Sequence, residues 1–252
     1  MKKPLVLGIA SAVFCGAAAL AAPPAAPMFS WTGFYVGVNG GYGGNSGDLG
    51  NNIVDVFAGV ITNNIPLVAP NPSGGFGGGQ LGYNMQFAPN WLWGVEADFE
   101  GSGIRGTSHS SYAGVPGLLN ALTLTSSYKT DYFGTVRSRL GYTVDRTMVF
   151  ITGGFAYGRS LYLTSANFFP VGGPAFNLMK TSTNTGYVVG GGVEQRLTGN
   201  WSLKAEYQYI NMGSDSITAP YFPPFNTTYF NTVKYDNILQ TFRLGLNYKF
   251  GS

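Results

Sequence analysis

The sequence predicts an all-β chain: an eight-stranded, antiparallel, up-and-down transmembrane β-barrel, with short periplasmic turns and four long extracellular loops. Three observations lead there. Charged residues make up only 10% of the chain and aromatics 15%, against roughly 25% charged residues in soluble domains. Past the N-terminus no apolar run approaches the ~20 residues of a membrane-spanning helix. The apolar content instead sits in segments that alternate with a period of two, as strands do when each face meets a different environment. Only helices and closed barrels satisfy every backbone group in lipid, so an alternating membrane chain must close into a barrel.

The N-terminus reads as an export signal covering residues 1–21. Lys2 and Lys3 precede an apolar stretch from Leu5 to about Leu20, and Ala19-Leu20-Ala21 supplies a small-residue cleavage pattern. Cleavage near Ala21 removes Cys15, the sole cysteine, whose neighbours Val13 and Phe14 do not suit a lipid-anchor site. The mature chain then has no thiol for disulfides, metal sites or nucleophilic catalysis. Loss of Lys2 and Lys3 lowers the formal charge from +3 by two, which leaves no basic surplus to suggest nucleic acid. Residues 22–30 form a proline-rich periplasmic lead-in, and residues 31–252 the barrel.

Eight alternating segments follow. Around 33–43, Phe34, Val36, Val38 and Tyr42 oppose Tyr35, Gly37 and Asn39. Around 78–87, Leu81, Tyr83, Met85 and Phe87 oppose Gln80, Gly82, Asn84 and Gln86. In "WLWGVEADFEG", Trp91, Trp93, Val95, Ala97 and Phe99 oppose Leu92, Gly94, Glu96, Asp98 and Glu100. Around 131–144, Tyr132, Val136, Leu140, Tyr142 and Val144 oppose Arg137, Arg139 and Thr143. The segment 147–159 carries apolar residues on both faces (Val149, Phe150, Ile151) and leaves its inward face open. Segments 186–197, 201–211 and 239–250 complete the set. The connections alternate in length. Ala88-Pro89-Asn90, the Asp145-Arg146 region and Thr198-Gly199-Asn200 are tight, whereas 44–74, 102–127, 160–184 and 213–236 are long and polar. Short turns on one side and long loops on the other fit an outer-membrane barrel.

"QLGYNMQF" and "RLGLNYKF" share a spacing of glycine and aromatics, and a shift of 110 residues superposes Asn90-Trp91 on Asn200-Trp201 and Glu96 on Glu206. Hairpin duplication and convergence on a narrow lumen both account for this. The closing segment "RLGLNYKFGS" resembles the C-terminal signal read by the outer-membrane assembly machinery, through Arg243, Gly245, Tyr248 and Phe250. It departs from that pattern in ending on Gly251-Ser252. With "WTGFYVGVNGGYG", "GGGQLGYNMQF", "VEADFEGSGIRG", "GTVRSRLGYTVDR" and "ITGGFAYG", the chain over residues 31–250 resembles the small porin-family outer-membrane β-barrel proteins of Gram-negative bacteria. That group includes immunogenic surface antigens and hemin-binding proteins, and is similar to the barrel half of outer-membrane protein A. The resemblance implies surface exposure and envelope integrity without fixing one activity. No periplasmic peptidoglycan-binding segment follows, so that role is not implied.

Candidate functional residues fall into groups. Trp31, Trp91, Trp93 and Trp201 cluster near the periplasmic strand ends, as an interfacial aromatic girdle would; packing in a core is the alternative. Glu96, Asp98, Glu100, Arg137, Arg139, Glu194, Arg196, Lys204, Glu206, Arg243 and Lys249 fall on inward faces. A lipid-facing Arg or Lys at the midplane would cost ~2–4 kcal/mol, so pairing within the lumen is expected. The 198–200 turn sets Glu194 across from Lys204, and acids of the third strand adjoin Arg137 and Arg139. An interior of eight strands is only just wide enough for side chains, so these charges form either a fixed plug or a switchable gate. His109, in "TSHSSY", is the only histidine. It admits a serine–histidine pair or haem ligation, with a solvated loop residue as the plain reading. The glycine clusters "GGFGGGQ" and "VVGGGVEQR" lack the context of a phosphate-binding loop. No catalytic residue, metal or cofactor is assigned.

These readings converge on an outer-membrane barrel without enzymatic activity, with an envelope-structural and surface-interaction role and a lumen plugged by paired charges. A narrow gated diffusion channel for small solutes is the alternative; a hemin-binding receptor or an outer-membrane enzyme ranks below it. The expected partners are outer-membrane lipid and lipopolysaccharide, the assembly machinery, and a host or surface ligand met by the loops.

Overall fold

The computed structural model describes residues 30–47, 49–50, 52–57, 60–66, 70–112, 121–169, 176–219 and 231–251. The export signal with its cleavage site, residues 22–29 of the lead-in, and residues 220–230 of the last long connection lie outside the described residues. Among the described residues twelve strands follow in chain order: β1 (Gly33–Asn45), β2 (Leu49–Gly50), β3 (Asn52–Phe57), β4 (Val60–Pro66), β5 (Ser73–Gln86), β6 (Trp91–Ser102), β7 (Arg105–Tyr112), β8 (Ala121–Val144), β9 (Thr147–Phe169), β10 (Phe176–Arg196), β11 (Trp201–Ala219) and β12 (Asn231–Lys249). Eight of them, β1, β5, β6, β8, β9, β10, β11 and β12, pair antiparallel in that order, and β12 returns to β1. Closure removes every free edge at the level of the ring. β7 continues β6 along β8, β2 pairs briefly with β12, and β3–β4 form a separate hairpin.

The outward faces explain the composition. Phe34 is 66% exposed, Ile151 64%, Leu81 60% and Phe242 53%, and each belongs to an unbroken apolar row on its strand. Water would not tolerate so continuous an apolar belt on a monomer; hydrocarbon does. Aromatic pairs bound the belt. Trp91–Tyr142, Trp201–Tyr248 and Tyr248–Phe250 stand at the short-turn end, Phe99–Tyr132 and Tyr187–Tyr209 at the other. The short turns stand where the sequence puts them. Asp145 takes a left-handed φ of 52° and Gly199 one of 57°, conformations that Asp and Gly tolerate in tight turns.

One expectation is corrected here and one open point is resolved. First, the long connections are largely not loops. β8 runs 24 residues, β9 23 and β10 21, so the ladder continues well beyond the apolar belt. Stretches such as "TLTSSYKT" (123–130) and "SLYLTSANFF" (160–169) are rich in the β-branched and aromatic residues that favour strands, but their buried inward side chains are polar or tyrosine (Ser126, Tyr128, Thr130, Ser160, Tyr162, Thr164), which hides the alternation. Register also shifts at Asp131 on β8 and between Asn211 and Ser214 on β11. Each bulge adds a residue and reverses which parity faces inward. Second, the 147–159 segment resolves to even-inward: Met148, Phe150, Thr152 and Ala156 are buried, while Val149, Ile151 and Phe155 face out.

Two glycines show why the wall can close tightly. A Cβ on Gly82 would lie 2.3 Å from the Tyr35 hydroxyl and 2.6 Å from the Val95 carbonyl oxygen, and one on Gly37 would meet Asn247 Oδ1 at 2.1 Å. Inward side chains of neighbouring strands use that space.

Beyond the belt, the extension has its own polar interior. Tyr128, Tyr162 and Tyr235 are buried. Tyr162 donates to Asn237 Oδ1 at 2.6 Å, and the Thr164 and Tyr235 hydroxyls lie 3.0 Å apart. Asp215 accepts from Asn184 at 2.6 Å, Lys180 at 3.1 Å and Ser182 at 3.2 Å. Burial works to raise its carboxyl, but these hydrogen bonds together with the Lys180 charge outweigh burial and hold it below the usual carboxylate range. The unfolded carboxyl titrates near 3.9, so the unfolded state binds more protons and the stabilisation is complete only above that value. Amide protection in the outer ladder of β10 and β11 is therefore expected to fall as pH drops below about 4. In Asp215→Asn it should be lower at neutral pH and insensitive to that acidification; hydrogen exchange read residue by residue checks both.

Candidate functional site

The lumen is stratified. At the short-turn end Trp31, Leu92, Met148 and Phe150 form a buried apolar cluster. Farther along, Phe76, Ile104, Phe133, Ala156, Val188, Ile210, Met212 and Leu239 form a second, with Phe76 edge-on to Phe133 at 5.2 Å. Between them lies a layer of buried charge. The Trp31 assignment is thereby corrected: it is 4% exposed and belongs to the interior. It precedes β1 but shares the odd, inward parity of Tyr35, Gly37 and Asn39; its backbone N–H donates to Gln86 and its ring plugs the lower lumen. Trp91, Trp93 and Trp201 face outward, each more than 40% exposed. Trp93 donates its indole N–H to the Ser138 hydroxyl at 2.8 Å, a partner that an amphipathic ring in this position needs.

The charge layer joins opposite walls of the barrel. Glu96, Asp98 and Glu100 come from β6, Arg137 and Arg139 from β8, Glu194 from β10, Lys204 and Glu206 from β11, and Arg243 from β12. Every one is at most 5% exposed. Lys204 Nζ donates to both Glu96 oxygens at 2.8 Å, across the lumen from β11 to β6. Arg137 forks between Glu96 on its neighbouring strand and Glu206 on the far wall, and also donates to Asp98 at 2.8 Å. Arg243 contacts Glu100 at 2.7 Å, Asp98 at 3.2 Å and Glu206 at 3.3 Å. Neutral groups complete the shell. The Tyr35 hydroxyl donates to Glu96 at 2.6 Å, the Thr135 backbone N–H and hydroxyl donate to Asp98 at 3.0 and 2.7 Å, and Gln80 donates to Asn247.

The Glu194–Lys204 expectation splits in two. The residues are direct cross-strand partners, but they are not each other's counter-ions. Glu194 accepts from Arg139 at 3.0 Å, Ser202 at 2.5 Å and Asn247 at 2.9 Å, while Lys204 reaches Glu96 instead. In a narrow lumen with tilted strands, inward groups at one height come from non-adjacent strands, and long side chains extend toward the axis. Arg196 does not enter the layer either. It is half-buried at the turn, where its Nε donates to the Gly199 carbonyl at 3.3 Å. Lys249 closes the lower mouth by donating to the Ser30 and Thr32 carbonyls at 2.7 and 3.1 Å.

The C-terminal residues divide by parity. Arg243 and Gly245 face inward, Tyr248 and Phe250 lie at the outer rim, and the Phe250 N–H donates to the Phe34 carbonyl at 2.8 Å. His109 lies on β7 with Nδ1 3.0 Å from the Thr125 hydroxyl, and the strand turns Ser108 and Ser110 to the opposite face. Inward apolar residues such as Phe133, Ile210 and Leu239 are what sequence reading missed; their signal was apolar character on the face otherwise reserved for charge. A recess at the lower mouth, lined in part by Trp31, Tyr35, Glu194 and Asn247, has a volume of about 10 Å³, room for about one water.

A charge cut from such a layer strands its partner in low dielectric, at a cost of ~3–5 kcal/mol for a buried pair. Double-mutant cycles on unfolding free energy in lipid should therefore give a larger coupling for Glu194 with Arg139, and for Glu96 with Lys204, than for Glu194 with Lys204. The first two are expected at about 1–3 kcal/mol. A dominant Glu194–Lys204 coupling would contradict this geometry.

Comparison with known proteins agrees with this architecture. Residues 12–250 match the family model described as outer membrane protein beta-barrel domain. The chain is 35% identical over 240 residues to the 31 kDa outer-membrane immunogenic protein of Brucella melitensis biotype 1, covering 91% of this chain and 88% of that one. It is 30% identical over 192 residues to the 22 kDa outer membrane protein of Rhizobium leguminosarum bv. viciae, covering 76% and 69%. Among solved structures, the outer membrane protein OprG of Pseudomonas aeruginosa aligns at TM-score 0.49 and 14% identity, over 88% of this chain and 97% of that one. Sequence match, closed ring and lipid-facing belt lead to one assignment: the chain belongs to the outer membrane protein β-barrel domain family of the bacterial outer membrane.

Proposed function

We propose that this protein is a sealed, non-enzymatic barrel that anchors a rigid, strand-built wall at the cell surface and acts through that wall rather than through its lumen. The observation that carries the reading is the stacking of the buried charge layer between two apolar clusters. An ion entering from either side would have to shed water against Phe133 and Leu239 or against Trp31 and Phe150. It would then meet carboxylates and cations already committed to one another. The described extension carries hydroxyl groups such as those of Thr107 and Ser127 on its outside beside exposed Leu163 and Met179, a mixed surface suited to recognition by other macromolecules. Its relatives' designation as immunogenic accords with a wall of this kind reaching the medium. Export by a signal removed near Ala21, insertion by the assembly machinery through the Tyr248–Phe250 rim, and a host or surface ligand for the wall complete the proposal.

The test is conductance of the mature chain in a planar bilayer. A folded barrel without discrete steps is the expected result, as is the appearance of steps when Phe133 and Leu239 are both replaced by Ala. Steps in the unaltered protein that change with Arg137→Gln would establish the gated-channel alternative.

A further inference from the structure

Three cations face outward on adjacent strands just beyond the apolar belt. Arg105 on β7, Lys129 on β8 and Arg159 on β9 point away from the lumen, since their neighbours Ile104, Tyr128 and Ser160 are buried. Arg105 and Lys129 are direct cross-strand partners, and Arg159 stands opposite Tyr132. Such partners have Cα atoms roughly 5 Å apart, so the three charged ends can meet over one patch. Among the described residues a single carboxylate lies between them: Asp131, the bulged residue, is 2.7 Å from Lys129 Nζ and 3.9 Å from Arg159 Nε. One carboxylate against three cations leaves a surplus positive charge and most of the guanidinium donors unspent. The Lys129 and Arg159 side chains remain 50% and 48% exposed.

Depth decides what meets this patch. Tyr132 stacks near Phe99 at 5.5 Å and marks the upper edge of the belt. The cations stand within three residues of it along their strands, about 10 Å at the usual rise. They project sideways, not up into the medium, and so lie among the headgroups of the surrounding leaflet. Directly beyond, the Thr107 and Ser127 hydroxyls pair at 3.1 Å on the same outer face, donors and acceptors of the kind that sugar hydroxyls match.

We infer that Arg105, Lys129 and Arg159 bind a phosphate of the phosphorylated glycolipid in the outer leaflet, with the Thr107–Ser127 pair against its sugar. Asp131, on the bulge, contacts both Lys129 and Arg159 and competes with the phosphate for them. The site rests on the outer-membrane placement and not on the sealed lumen, so a conducting lumen would leave it untouched.

The experiment uses the full folded chain in phosphatidylcholine nanodiscs, titrated with bisphosphorylated lipid A, its dephosphorylated form or phosphatidylglycerol, with bound lipid counted by native mass spectrometry. Lipid A should bind in preference to the other two. Arg105→Gln, Lys129→Gln and Arg159→Gln should each weaken it about fivefold, and the triple variant roughly a hundredfold. Asp131→Asn, which removes the competing carboxylate, should bind at least as tightly as the parent; it keeps the proposal testable should the triple variant fold poorly. Equal binding by the triple variant or of dephosphorylated lipid would overturn the site. Equal binding of phosphatidylglycerol, or displacement by inorganic phosphate at millimolar concentration, would overturn its assignment to the glycolipid.

Discussion

The contact between Lys204 and Glu96 spans the barrel and carries the organising constraint of the molecule. A strand whose one face is given to hydrocarbon must place every charge on the other, and in a ring of eight strands that other face is a narrow column. Charges in the column are cut off from water, so each must find a counter-ion or hydrogen bond within reach. Lys204 and Arg137 meet that demand by reaching carboxylates on both walls. The register of the ring is coupled to this arrangement, because sliding one strand by a single residue would turn its acids or bases into lipid.

The rest of the interior can be understood as enclosure of that layer. Trp31, Met148 and Phe150 below and Phe133, Ile210 and Leu239 above keep water away from ion pairs that would be weaker in its presence. Small inward residues such as Gly37 and Gly82 give Tyr35 and Asn247 the space to complete the carboxylate shells. Above the upper cluster the wall continues as an extended ladder whose own polar interior, built on Tyr162, Asn237 and Asp215, needs no hydrocarbon to hold it. One chain thus provides a lipid-adapted base and a water-adapted wall on the same continuous strands.

Much of this was legible in the residues. The row from Trp91 to Phe99 states its two environments outright, and the tight turns at 88–90, 145–146 and 198–200 stand where composition puts them. What escaped has physical reasons. Ladders over 123–130 and 160–169 bury polar and tyrosine side chains such as Ser126, Tyr128 and Thr164, so no apolar row marks their inward face, and the bulges at Asp131 and after Asn211 reverse parity midway. Trp31 shares the parity of buried Tyr35 and Asn39, so the alternation carried ahead of the first strand points it inward; grouping it with the other tryptophans by residue type hid this. The ambiguity at Val149-Phe150-Ile151 was itself information: an apolar residue on the charged face signals an internal cluster. Counter-ions are the hardest to read, because cross-strand register names neighbours along the wall, whereas Lys204 pairs across the axis.

The most direct test of the central claim is solution or solid-state NMR of the Lys204 ammonium and Arg137 guanidinium protons in the refolded protein in lipid. A sealed, paired layer predicts resolved side-chain N–H signals that exchange slowly with water, with through-space contacts from Lys204 to Glu96. Rapid exchange of those protons with solvent, in a barrel whose backbone ladder is intact, would contradict the account and make the lumen an aqueous path.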